Sequence, residues 1–154
     1  TVTVRDAALT LPVRLAPEEI VDVAPAETAA PAAKTMLRAG RSVRERGRDI
    51  GAAEWFWRAV EEPSRVRIEA IGTEIETASR TDYRIRDDDP LSARMEMERV
   101  QTIQRAAITT RTVLRASMAA TADAFLVKMA LEAFEGEALV CRREWREAVP
   151  REVV

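Results

Sequence analysis

The feature that most constrains this chain is a two-residue rhythm in its C-terminal half. Ile108, Thr110, Thr112, Leu114, Ala116 and Met118 lie two apart, and so do Phe125, Val127, Met129, Leu131 and Ala133. Such a period puts one set of side chains on one face of a β-strand. The composition pulls the other way. "LSARMEMERVQTIQRAAI" and "ADAFLVKMALEAFEGEAL" are rich in Ala, Met, Leu and Glu, all good helix formers. A helical stripe also runs through Leu126, Met129, Ala130, Ala133 and Phe134, so pattern alone leaves helix or strand open over 91–134.

Further upstream the alternation is less contested. "EWFWRAV" places Trp55, Trp57 and Ala59 on one face and Phe56 and Arg58 on the other. Two tryptophans spaced by two fit a strand. "SRVRIEAIG" sets Val66, Ile68 and Ala70 against Arg65, Arg67 and Glu69, with Gly72 allowing a turn or bulge. Ile75, Tyr83 and Ile85 suit short strands. Arg94, Glu96 and Glu98 oppose Met95 and Met97, as on a sheet with one wet face. "EGEA" around Gly136 reads as a hairpin turn. The expected class is all-β: an antiparallel sheet sandwich or a curved half-barrel. The alternative is α+β with a helical C-terminal half.

At the N-terminal end, Leu9, Leu11 and Val13 alternate and Pro12 suggests an edge strand. "APEEIVDVAPAETAAPAA" then reads as an Ala/Pro-rich linker. The expected organisation is a terminal strand over 1–14, a linker over 15–34 and a β module over 35–154. Isolated from any preceding domain, the terminal strand would be an unpaired edge, and residues 1–14 are then expected to behave as a disordered or swapped arm. A first residue of Thr1 suggests a fragment or processed product.

The 154 residues suit one ordinary domain, and 47% hydrophobic with 32% charged residues is globular. A formal net charge of −2 is no footprint for nucleic acid. The arginines at 38, 41, 44, 46 and 48 lack interleaved aromatics and read as a solvated strand face. No apolar run approaches the ~18 residues of a membrane helix, so neither nucleic acid nor membrane is an expected partner. A single cysteine, Cys141, rules out an internal disulfide and favours a reducing, cytoplasmic compartment. Beside Val140, it is expected to be a small core residue.

There is no histidine. A Ser-His-Asp triad, a Cys-His pair and a His-ligated zinc are therefore impossible within this chain. Ser42 stands in half of a nucleophile elbow, but Arg44 replaces the second glycine. No catalytic residue, metal or cofactor is expected. Candidate contacts for an apolar ligand or packing partner are Trp55, Trp57, Phe125 and Trp145. "RDDDPLSA" raises a choice between a polar turn stiffened by Pro90, helix capping by Ser92 and a cation loop. Three adjacent carboxylates cannot all reach one ion, which favours the turn.

Several segments together resemble one family, the CocE/NonD-type hydrolases, serine esterases and acylases of the cocaine-esterase and Xaa-Pro dipeptidyl-peptidase group. "RIRDDDPLSARMEME" looks like the turn and following strand of their C-terminal segment. "TADAFLVKMALEAFEGEALV" is similar to its long penultimate strand and hairpin. "REWREAVPREVV" looks like its ending, and "LTLPVR" resembles the last strand of the preceding jelly roll. Where the family often carries a Gly-Asp-Trp-like turn, this chain has Ala106-Ala107-Ile108. The resemblance runs from about Leu9 to Val154. It implies a parent polypeptide with an α/β-hydrolase domain that cleaves esters or amides through a serine nucleophile. This chain would be its non-catalytic C-terminal β module. Its implied partners are the hydrolase and jelly-roll domains and, for an oligomer, a second copy. A stand-alone ligand-binding β module and a helical interaction protein are the other two readings.

Overall fold

A computed structural model describes residues 27–151. The chain divides into two units, Thr1–Ala30 and Pro31–Val154. The strand expected over 1–14, and residues 15–26 of the expected linker, lie outside the described residues. Residues 27–33 carry no regular structure.

Eight strands follow: β1 (Lys34–Arg38), β2 (Ser42–Asp49), β3 (Glu54–Ile68), β4 (Thr73–Arg86), β5 (Asp89–Arg105), β6 (Ile108–Ala120), β7 (Ala124–Glu135) and β8 (Ala138–Pro150). They form one antiparallel sheet in the order β1-β3-β4-β5-β6-β7-β8, with β2 beside β1 on the outer edge of β3. The all-β expectation holds. The helical C-terminal half does not: β5 to β7 cover the disputed segment, and a 3-10 turn over Glu69–Ile71 is the only helical element among the described residues. That turn removes Glu69 and Ala70 from the strand expected there. Of the two all-β forms, the open curved sheet is present, and no second sheet packs on it among the described residues.

Tight turns explain why propensity lost. Every one from β3 to β8 closes a meander, so each strand pairs with its sequence neighbour and the backbone groups are satisfied between strands. Left-handed backbone recurs at Gly72 (φ 57°), Asp88 (φ 56°), Ala106 (φ 51°) and Gly136 (φ 57°). Two-residue hairpin loops favour that region because its twist matches the flanking strands. The "EGEA" turn stands as expected, and Ala106-Ala107 makes the same kind of turn without a glycine.

The outer edge of β3 is shared because β3 bulges between Glu61 and Ser64. Pro63 sits at that irregularity, where a missing N–H costs least. There β2 gives way to β1, and Arg38 Nε donates to the Pro63 carbonyl at 3.2 Å. Gly40 is required by the close approach: a Cβ there would lie 2.4 Å from the Glu62 carbonyl oxygen.

The "RDDDPLSA" question resolves into a turn. Asp87 and Asp88 form the bend and Asp89 re-enters β5. Ser92 caps no helix. Its hydroxyl accepts from the Arg86 N–H at 2.8 Å and donates to the Asp89 carbonyl at 2.6 Å, clipping the turn shut. The Asp87 carboxylate pairs with Arg48 of β2. Among the described residues, no cluster of three metal-ligating side chains forms.

Candidate functional site

Cross-strand register sorts the side chains into two faces. The first is ionic. Arg58 and Arg80 both donate to Asp82, at 2.6 and 2.7 Å. Arg115 bridges Glu98 of β5 (2.8 Å) and Glu132 of β7 (3.3 Å). Glu54, only 6% exposed, takes both oxygens to Arg94 at 2.8 and 2.9 Å, with Arg84 at 3.5 Å. The hydrogen bond from Arg94 holds the Glu54 carboxyl below its ordinary value, outweighing the opposing effect of burial, and Arg84 adds to it. Burial pushes the Asp82 carboxyl up, but the hydrogen bonds from Arg80 and Arg58 prevail and leave it lowered. On this face Phe56 lies over Gly47 of β2, where a Cβ would sit 2.9 Å from two ring atoms.

The second face is apolar and open. Trp55 pairs with Ile85, and Trp57 with Tyr83. Tyr83 pairs with Met95, and Met95 with Met118. Ala120 pairs with Phe125. These rows make a continuous apolar floor across β3 to β7, with a groove of about 360 Å³. The Trp57 and Tyr83 rings are 5.3 Å apart and tilted by 55°, a favourable aromatic arrangement. At the far wall the Arg151 guanidinium lies 5.2 Å from the Phe125 ring centre. On the near side β2 contributes a basic rim, since Arg46 pairs with Trp57 and Arg48 with Trp55.

Among the described residues this floor has no cover. Trp55 is 53% exposed, Tyr83 44% and Trp57 40%, whereas the one buried apolar side chain among the described residues, Val113, belongs to the ionic face. Long arginine stems cover apolar surface while their heads reach water. The apolar face has no such roof.

The sequence candidates divide accordingly. Trp55, Trp57 and Phe125 come together in the groove; Trp145 does not. It lies on β8, the last strand of the sheet among the described residues, and pairs with Met129 of β7. Tyr83, Ile85, Met95 and Met118 complete the floor without having been singled out. Their alternation was visible, but only register shows that they share a row. Cys141 is not a core residue: it lies half-exposed on β8, where among the described residues no second layer encloses the strand. The arginines of β1 and β2 form a wet rim as expected, several in ion pairs: Arg38 with Glu76, Arg44 with Glu61, and Arg48 with Asp87.

Chemically the groove offers a largely apolar binding surface. Its lining holds no nucleophile paired with a base, and its two charged members, Arg84 and Arg94, are committed to Glu54. An apolar centre with a charged rim has the anatomy of a docking interface. No family model, curated protein or solved structure matches this chain.

Proposed function

We propose that this chain is the non-catalytic C-terminal β module of a CocE/NonD-type α/β-hydrolase, and that its apolar face packs against the body of that enzyme beside the substrate cleft. The observation that carries the reading is the uncovered floor of Trp55, Trp57, Tyr83, Met95, Met118 and Phe125. A sheet with one ionic face and one exposed aromatic face is half of a two-layer domain, and exposed apolar patches of this kind mark interaction sites. The motif segments support the same reading. "RIRDDDPLSARMEME" spans the end of β4, its turn and the start of β5. "TADAFLVKMALEAFEGEALV" spans β7 and the hairpin into β8. The chemistry of ester or amide cleavage belongs to a serine, an acid and a histidine elsewhere in the parent. Here the module contributes packing and the shape of the cleft wall.

The test uses the native source. A lysate is labelled with a fluorophosphonate probe for activated serines, and the labelled polypeptides are sequenced. Recovery of this sequence inside a larger labelled chain supports the proposal. Its appearance only as a small unlabelled protein refutes it.

One observation favours a second reading. A 360 Å³ apolar groove is within the ~300–1,000 Å³ range of small-molecule sites, so an aromatic or acyl ligand could lie along the tryptophans. Quenching of tryptophan emission by a panel of such ligands, saturable and lost in Trp57→Ala, would decide for it.

A further inference from the structure

Among the described residues the sheet ends on β8, and no further strand pairs with its outer edge. Residues 138–150 are exposed except for half-exposed Cys141. Natural edge strands are blunted by bulges, inward charges or covering loops, because their free N–H and C=O groups template further pairing. β8 has a register shift near its start, between Leu139 and Cys141, and carries Arg143 and Glu147 as charges on the apolar face; from Cys141 to Pro150 it pairs with β7 without irregularity, and its one proline stands at its end. Those two charges belong to a pattern that complements the strand's own reverse.

We infer that β8 pairs antiparallel with β8 of a second copy of this chain, across a two-fold axis at Trp145, joining two sheets into one continuous sheet. In that register Trp145 faces Trp145 of the second copy. Glu144 then faces Arg146, Arg143 faces Glu147, Arg142 faces Ala148 and Cys141 faces Val149. By symmetry each charge pair occurs twice, so four opposite-charge pairs flank a central aromatic pair. Cross-strand pairs of both kinds stabilise a sheet, and an isologous contact of this sort closes on itself as a dimer.

Neighbouring registers fail. An axis perpendicular to the sheet allows only shifts that keep each side chain on its face. Centring on Glu144 sets Glu144 against itself and Arg142 against Arg146. Centring on Arg146 sets Arg146 against itself and Glu144 against Ala148. The single chain also leaves the relevant charges poorly served. Arg146 lies opposite Lys128 of β7, and Arg143 and Glu147 lie opposite Leu131 and Val127. Glu144 alone serves Arg142 at 2.8 Å and Arg146 at 3.7 Å. Arg143 and Glu147 make no ion pair among the described residues. A second β8 supplies an opposite charge to each of Arg143, Glu144, Arg146 and Glu147, and brings the two apolar faces to the same side. The inference rests on the edge strand and not on the hydrolase reading, so the two tests fail separately.

The test is cysteine pairing in the polypeptide as its source makes it, in a Cys141→Ser background under a mild oxidant. Trp145→Cys is expected to give a covalent dimer on a denaturing gel. Arg143→Cys and Glu147→Cys are each expected to give none alone and to form one when mixed, since opposite residues alone come within disulfide reach. Sedimentation checks the charges. Glu147→Arg should weaken the dimer at least tenfold, and Arg143→Glu with Glu147→Arg should restore it. Absence of dimer at position 145, equal yields at 143, 145 and 147, or failure of the charge swap to restore association each overturns the inference.

Discussion

Replacing Trp57 by alanine separates what the sheet holds by itself from what a cover would add. Trp57 is 40% exposed. A tryptophan offers up to about 250 Å², so about 100 Å² remains open and about 150 Å² is already covered within the sheet. At ~25 cal/mol per Å², the covered part is worth at most ~3.8 kcal/mol. A compact unfolded state and the retained alanine lower this to ~2–3 kcal/mol, including the loss of Tyr83 as a ring partner. The open ~100 Å² adds ~2.5 kcal/mol only where another surface buries it. Urea unfolding of Trp57→Ala should therefore cost ~2.5 kcal/mol more in the intact parent polypeptide than in the isolated chain. Leu126 is the control. It is 39% exposed but sits on the ionic face, opposite Ala119. Leu126→Ala should cost the same in both settings. Equal costs for Trp57→Ala, within ~0.5 kcal/mol, would refute the idea that this face is a docking surface.

Three further expectations rest on local geometry. Lowered carboxyl values at Glu54 and Asp82 contribute stability that is complete above their unfolded values, near 4.5 and 3.8, and is lost as pH falls through the lower folded values. Acid unfolding should thus begin below about pH 4.5, and Glu54→Gln, which leaves Arg84, Arg86 and Arg94 without their shared carboxylate, should lower the melting temperature at pH 7 and flatten that acid limb. Gly47→Ala forces the Phe56 ring to move and should cost ~1–3 kcal/mol in urea unfolding, less when Phe56→Leu makes room. Ala106→Gly relieves a left-handed backbone at φ 51° and should stabilise the chain by about 1 kcal/mol in thermal unfolding.

How far these elements were legible depends on the range of the physics behind each. Alternation at Trp55-Trp57, Met95-Met97 and Phe125 to Ala133 is a property of neighbouring residues, and all of it survives in the structure. The helical alternative over 91–134 failed because helix propensity amounts to tenths of a kcal/mol per residue, while each strand of a meander gains a full ladder of hydrogen bonds from both neighbours. The 3-10 turn at Glu69–Ile71 was hidden because its residues continue the apparent alternation. Ser92 has the chemistry of a cap in either setting, and only the β4–β5 turn shows that its hydroxyl serves Arg86 and Asp89.

By itself the sequence determined that the chain alternates as strands upstream of residue 91, that its faces would differ in polarity, and that no histidine-dependent catalysis could occur within it. These follow from residue identity and a period of two. Over 91–134 it left helix or strand open. Only the tertiary structure decided which rows of side chains meet. It placed Tyr83, Met95 and Met118 beside the tryptophans and left Trp145 on the last of the described strands. It also put the buried valine under the ionic face and left the aromatic face open. Register and layer number are set by turns and by long-range pairing, and a one-residue slip would have exchanged every one of these side chains between the faces.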